Sequence, residues 1–233
     1  MKASVAIAAL APLVALVSPL HAAPEVRTVE ASFYCFQYAP GAETLEIVSS
    51  DHQQPVRLST ANISKPVMLQ VSGDEAVIQR RVGDQLVPAA RVKVAADIAK
   101  ALVVLVPAAS GSTESYRARA IDYSQDRFPL GTYQLLNISG TPVRGAIGPS
   151  YAEVKPGAIG GIALQGENGT VQGVRFEFLE TGKWSRLTET RCAVRRDRRW
   201  LVCVYQDPST QRMNMRSIPD RSFAPNTAVA LSE

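Results

Sequence analysis

The chain has 233 residues, of which 46% are hydrophobic and 20% charged, and its formal net charge is +4. These values are ordinary for a globular chain with a real core. With two histidines in the whole chain, one of them within the first 22 residues, the composition excludes a histidine-rich zinc or copper site.

Residues 1–22 have the three-part layout of a secretory signal peptide. Lys2 provides the charged start, an apolar run extends from Val5 to Val17, and small residues follow up to Ala23. Export would place the mature chain in the periplasm or the extracellular space, where thiols can oxidise. No later apolar run reaches the about 20 residues that a membrane-spanning helix needs, so we expect no transmembrane segment.

Short alternating or apolar runs recur beyond this leader about every eight to twelve residues, separated by Gly, Pro, Asn and Asp. Such spacing is typical of a β-sandwich or barrel. The predicted strands are, in chain order, Ser32–Tyr38, Thr44–Val48, Val56–Thr60, Val67–Ser72, Ala76–Val82, Arg91–Val94, Leu102–Val106, Tyr116–Tyr123, Thr132–Ile138, Val143–Ile147, Tyr151–Val154, Ile159–Leu164, Val171–Leu179, Arg186–Val194, Trp200–Tyr205 and Met213–Ile218.

These strands are too numerous for one small sandwich. The clearest break is Pro107–Ser115, a stretch that is poor in bulky apolar residues and typical of a linker or a long loop. We therefore expect an all-β fold of two tandem sandwich domains, residues 23–109 and 110–233. One larger two-sheet body with a long surface loop is the alternative.

The second half carries a turn-rich motif. The run Phe128-Pro129-Leu130-Gly131-Thr132-Tyr133, followed by a strand to Ser139, resembles the Pro-x-Gly-x-Tyr entry to a strand in secreted bacterial immunoglobulin-like and prealbumin-like sandwich modules. Gly/Pro turns continue that pattern, and the resemblance covers residues 116–164. It implies immunoglobulin-like sandwiches and no particular activity.

The cysteines suggest one covalent link. In an antiparallel hairpin centred between Asp197 and Arg198, Cys192 and Cys203 face each other, which predicts a disulfide bond. Two reduced cysteines packed in a core are the alternative. Cys35 is expected to be a buried, inert thiol.

Positive charge is concentrated near the C-terminus, where Lys183–Arg221 holds ten Lys and Arg against four Asp and Glu. Guanidinium groups suit bidentate binding of carboxylate, sulfate or phosphate, and an exposed Trp could stack on a sugar. This hairpin therefore predicts a ligand-binding patch for an anionic envelope polymer or a protein partner. Alternatively, the like charges only keep the tip solvated, and the Trp belongs to the core. The predicted ligand-binding residues are Arg186, Arg191, Arg195, Arg196, Arg198, Arg199 and Trp200.

No catalytic site, metal site or cofactor is expected. His52 is the one histidine beyond the leader, and the chain has no nucleophile elbow, phosphate loop or dinucleotide fingerprint. Carboxylate pairs such as Glu177 with Glu180, or Asp122 with Asp126, leave open a hydrolase that acts on an envelope polysaccharide. Nucleic acid is not an expected partner, because no row of aromatics accompanies the arginines. The sequence thus favours a secreted or periplasmic, non-enzymatic binding or scaffolding protein of the cell envelope.

Overall fold

The computed structural model describes residues 25–49, 52–207 and 209–220. Every helix or strand within these ranges is a β-strand, so the prediction of an all-β fold is confirmed. The predicted signal peptide lies outside the described residues. The described strands form one eight-stranded sheet and two four-stranded sheets.

The first sheet contains the strands β1 Val26–Cys35, β2 Thr44–Val48, β3 Gln53–Arg57, β4 Val67–Ser72, β5 Glu75–Val82, β6 Gln85–Lys93, β7 Lys100–Pro107 and β8 Tyr116–Asp122. Its order is β3-β2-β5-β4-β1-β7-β8, and β6 also pairs with β5. β1 is parallel to β7 and antiparallel to β4. Because β6 also lies against β8, the sheet folds over and encloses its own apolar interior.

We call this interior the first core. It combines side chains from all eight strands, including Phe33, Leu45, Leu69 and Ile78. Cys35 lies here as a buried thiol, and burial raises its pKa to about 11. At neutral pH this sulfur is protonated, and it acts as a small apolar side chain.

The second half of the chain forms the other two sheets. Its strands are β9 Thr132–Asn137, β10 Val143–Ile147, β11 Ser150–Val154, β12 Ile159–Ala163, β13 Val171–Glu180, β14 Lys183–Ala193, β15 Trp200–Gln206 and β16 Met213–Pro219. The middle sheet has the order β12-β9-β15-β16, and the outer sheet has the order β11-β10-β13-β14.

The middle and outer sheets pack face to face around a second core, which includes Leu135, Ile162, Phe176 and Val202. Gly145 on β10 leaves room for the ring of Phe176, its register partner on β13. A Cβ atom at this position would lie 2.4 Å from a ring carbon of Phe176, so the packing requires a glycine here.

A third apolar cluster, the junction core, joins the first sheet to the middle sheet. On β7, Leu102 faces the junction core, whereas Val103 faces the first core. On β15, Leu201 faces the junction core, whereas Val202 faces the second core. Both strands are thus buried on both faces, which explains their uninterrupted apolar sequences. The junction core comprises Tyr34, Phe36, Leu102, Val104, Val106, Ile121, Phe128, Leu136, Leu201, Cys203, Tyr205 and Ile218.

Polar contacts accompany this apolar junction. The Arg216 guanidinium on β16 donates a hydrogen bond to the main-chain oxygen of Phe36 at 2.8 Å. On the other side, Arg119 of β8 donates to the main-chain oxygen of Gly157 at 2.6 Å. Arginines from each half therefore bind main-chain oxygens of the other half.

The change from the first sheet to the others occurs between Asp122 and Thr132. The predicted break, Pro107–Ser115, instead connects β7 with β8, which pair antiparallel in the first sheet. β8 thus belongs with the first half, although the predicted boundary at residue 109 assigned it to the second.

The predicted hairpin around Asp197 and the disulfide between Cys192 and Cys203 are wrong. β14 pairs with β13 in the outer sheet, whereas β15 pairs with β9 and β16 in the middle sheet. Cys192 packs against the second core and Cys203 lies in the junction core, so the two sulfurs are on opposite sides of the middle sheet. Together with Cys35 they are free thiols.

Candidate functional site

The structure separates the predicted arginine patch into three parts. Arg186 and Arg191 lie on β14, while Arg195, Arg196 and Arg198 lie in the segment that crosses from the outer sheet to the middle sheet. The last two predicted residues, Arg199 and Trp200, turn inward. The seven residues therefore do not form one surface.

The arginines of the crossing segment are occupied by local contacts. Arg195 makes two hydrogen bonds to Asp197, at 3.0 and 3.1 Å, and Arg198 lies 3.7 Å from the same carboxylate. Arg196 donates twice to the main-chain oxygen of Gly166. These contacts hold the segment in place and reduce its capacity to bind an external anion.

Arg199 is only 1% exposed and has a structural role. Its Nε donates to Asp220 at 2.6 Å, and its other nitrogens donate to the main-chain oxygens of Tyr123, Ser124 and Phe128. The guanidinium also lies 4.2 Å from the centre of the Tyr123 ring and 4.6 Å from that of Phe128. It therefore fixes the connection between the halves and is unavailable to a ligand.

Trp200 belongs to the interior as well. Its ring stacks on Tyr133 with the centroids 4.8 Å apart and the planes 10° from parallel. Both side chains pack at the second core. This position matches the alternative in which the tryptophan is a core residue.

The two arginines on β14 belong to a different surface, which we call the outer face: the side of the outer sheet that points away from the second core. The strand register assigns its residues, because side chains alternate between the two sides of a strand. The outer face consists of Arg144 and Ala146 on β10, Tyr151 and Glu153 on β11, Val171, Gly173, Arg175, Glu177 and Leu179 on β13, and Trp184, Arg186, Glu189, Arg191 and Ala193 on β14.

Glu177 is the centre of charge pairing on the outer face. It accepts a hydrogen bond from Arg144 at 2.6 Å and forms an ion pair with Arg175 at 2.7 Å. The Arg144 hydrogen bond is the main reason that the pKa of this carboxyl lies below its ordinary value. Arg144 also lies 4.3 Å from the centre of the Trp184 ring. Two guanidiniums thus share one carboxylate, which leaves a positive excess.

Arg186 is paired too, with Glu189 at 2.9 Å on the same strand. Arg191 differs from these arginines. Among the residues that the structure describes, it has no ion pair, and its side chain is exposed. A guanidinium in this state keeps its donors available for carboxylate, sulfate or phosphate.

An open depression of about 780 Å³ lies beside Arg191. Gly173 is the register partner of Arg191, and together with Ala146 it lines the depression without a long side chain. Arg175 and Glu189 also line it. Tyr151 on the neighbouring strand β11 is the register partner of Ala146, and it is 55% exposed. The depression thus combines two guanidiniums with one carboxylate, and the exposed ring of Tyr151, whose hydroxyl donates to Glu153 at 2.9 Å, lies outside its lining.

Of these residues on the outer face, Arg186 and Arg191 are among the predicted ligand-binding residues, whereas Arg144, Arg175 and Tyr151 are not. Part of the outer face can be read from the sequence. Arg175–Leu179 alternates between polar and apolar residues and thereby defines one polar strand face. Which other polar strand faces lie beside it depends on the pairing of β10, β11 and β14, and alternation carries no information on pairing.

No group of three or more His, Cys, Asp or Glu able to hold a metal ion occurs within the described ranges. Those ranges also hold no helix of the length and apolarity needed to span a bilayer. A scan against protein-family models and a search of curated proteins found no match to this chain.

Proposed function

We propose that this chain is a non-enzymatic binding or scaffolding protein of the cell envelope, and that its outer face contacts an anionic partner. The observation that carries the proposal is Arg191, which lacks an ion pair among the described residues and stands beside an open depression. Charge-assisted hydrogen bonds from a free guanidinium are about twice as strong as neutral ones. The register partner of Arg191 is Gly173 on the neighbouring strand β13. Arg175 lies two residues further along β13 and adds a second guanidinium.

Location and domain type are part of the proposal. Export to the periplasm or the extracellular space is supported by the signal-peptide pattern of residues 1–22. Two tandem immunoglobulin-like sandwiches are supported by the motif at residues 128–133 and by the two separate cores, one inside the first sheet and one between the other two. The junction core would hold such domains in a fixed orientation, which suits a scaffold.

The same face bears on the alternative, a carboxylate-dependent hydrolase. A general acid needs a raised pKa, whereas contact with Arg144 and Arg175 lowers the pKa of Glu177. Glu180 lies at the end of β13 and accepts a hydrogen bond from Ser185 at 2.9 Å. These contacts favour binding over hydrolysis at this pair of carboxylates.

Retention on an immobilised anionic polymer tests the proposal. The full chain should be retained at low salt and released as salt rises, because exposed charges are screened. The variant Arg175→Ala/Arg191→Ala should bind about tenfold more weakly or worse, since each lost charge-assisted hydrogen bond is worth about 1.5–3 kcal/mol. The matched control is Arg57→Ala/Arg117→Ala, which removes two exposed arginines, on β3 and β8 of the first sheet.

Unchanged retention of the double variant, or retention that salt does not affect, would show that the outer face is not the binding surface. Equal weakening by Arg57→Ala/Arg117→Ala would indicate attraction by overall charge rather than by this site.

A further inference from the structure

Gly173 has no local structural reason to be glycine. It lies inside the ten-residue strand β13, outside the region of positive φ, and a Cβ atom there would meet nothing within 4 Å. Glycine weakens a strand interior and often marks a place where a ligand approaches the backbone closely. By contrast, Gly160 is required by packing, because its Cβ would lie 2.7 Å from Val154.

The neighbours of Gly173 indicate which chemistry could approach. Arg191 faces it in register, and Arg175 follows on the same strand and the same side of the sheet. Glu189 also lines the depression, and its carboxylate repels a bare polyanion but accepts hydrogen bonds from hydroxyl groups. The exposed ring of Tyr151 offers an apolar surface to the C–H face of a sugar.

We propose that the depression over Gly173 is a subsite for one sugar ring of an acidic, carboxylate-bearing polysaccharide. The inference rests on the proposed function and specifies its ligand. The absence of a side chain at Gly173 admits the ring to the strand backbone. Arg191 and Arg175 bind the carboxylate, Glu189 accepts from ring hydroxyls, and Tyr151 lies along the ring.

Three polymers separate the contributions of the ring and the charge. Polygalacturonate has both, dextran has the ring without the charge, and polyphosphate has the charge without the ring. Affinity for each is measured by titration calorimetry on the full chain. We expect polygalacturonate to bind at least tenfold more tightly than either of the others.

Filling the depression provides the decisive variant. Gly173→Val places a β-branched side chain in open space on a strand, so the fold should tolerate it. It should weaken polygalacturonate binding at least tenfold and leave polyphosphate binding unchanged, whereas Arg191→Ala should weaken both. Gly161→Val is the matched control, because Gly161 is an exposed strand glycine on β12 whose Cβ would meet nothing closer than 3.7 Å. Gly173→Ser, with a smaller side chain, replaces the valine variant if that variant's melting temperature falls.

The outcomes distinguish this inference from the proposed function. If Gly173→Val binds polygalacturonate like the native chain while Arg191→Ala does not, the subsite is refuted and binding at the outer face stands. If polyphosphate binds as tightly as polygalacturonate, the ligand is a polyanion without a ring requirement, and the sugar subsite is likewise refuted. If no polymer binds, or if Arg175→Ala/Arg191→Ala binds like the native chain, both proposals fail.

Discussion

Replacing Arg199 by methionine should be among the most damaging single changes in this protein. Methionine keeps much of the length of the side chain but removes the charge and every donor. The Asp220 carboxylate, 5% exposed, would remain buried without its 2.6 Å partner. The main-chain oxygens of Tyr123, Ser124 and Phe128 would lose the donors that hold the connection between the halves.

Removing one partner of a buried ion pair costs about 3–5 kcal/mol, because the remaining charge is uncompensated. The three carbonyl groups add to this cost where water cannot reach them, so we expect a loss of about 4 kcal/mol for Arg199→Met. A urea m-value of about 2–3 kcal/mol/M then lowers the unfolding midpoint by about 1.3–2 M.

Urea unfolding followed by circular dichroism measures this loss. Arg198→Met is the matched control, because the neighbouring Arg198 is half exposed and should change stability by no more than about 0.5 kcal/mol. Adding Asp220→Asn to Arg199→Met should restore part of the stability, since the buried charge is then removed. A loss below about 1 kcal/mol for Arg199→Met, or a double variant no more stable than the single one, would refute the reasoning.

Three other measurements check the packing, the thiols and the outer face. Gly145→Ala should lower the free energy of unfolding by about 1–3 kcal/mol, because the added methyl group would overlap the ring of Phe176. Gly161→Ala is the control and should have little effect, because the surroundings of Gly161 are open. Alkylation of the native chain should label Cys192 first, because the other two thiols are buried, and unfolding without a reductant should expose all three; fewer than three would contradict free cysteines. The arginines hold the pKa of Glu177 below its ordinary value of 4.5. The ionised carboxylate therefore stabilises the fold above pH 4.5, and this stabilisation is lost as the pH falls through the lowered pKa. The stability difference between the native chain and Glu177→Gln should therefore shrink from about pH 7 to about pH 3, and an unchanged difference would count against the ion pairs.

Local alternation was sufficient to predict the strand content. Arg175–Leu179 is part of β13, and its Phe176 points into the second core while Glu177 faces outward. Strand limits were less predictable. β6 begins at Gln85 rather than at the predicted Arg91, because pairing with β5 extends the hairpin through a stretch that contains a proline and little local strand signal.

Pairing between strands was beyond the sequence. The side chains of a strand alternate between its two faces whichever strand lies beside it. The spacing of Cys192 and Cys203 therefore fits a hairpin even though their two strands do not pair. In the folded chain, β14 pairs with β13 and β15 pairs with β9. The six residues between β14 and β15 cross from one sheet to the next.

The sequence by itself determined the all-β class and the positions of most strands, because alternation and turn residues act over a few neighbouring positions. It also identified an excess of arginine near the C-terminus. Only the tertiary structure decided which of those arginines are available. Arg199 is buried because Asp220, 21 residues later, supplies a carboxylate at the same point in space, whereas Arg191 keeps its charge exposed because its register partner is a glycine. Burial and charge pairing depend on contacts between distant parts of the chain, and these exist only after the sheets have packed together.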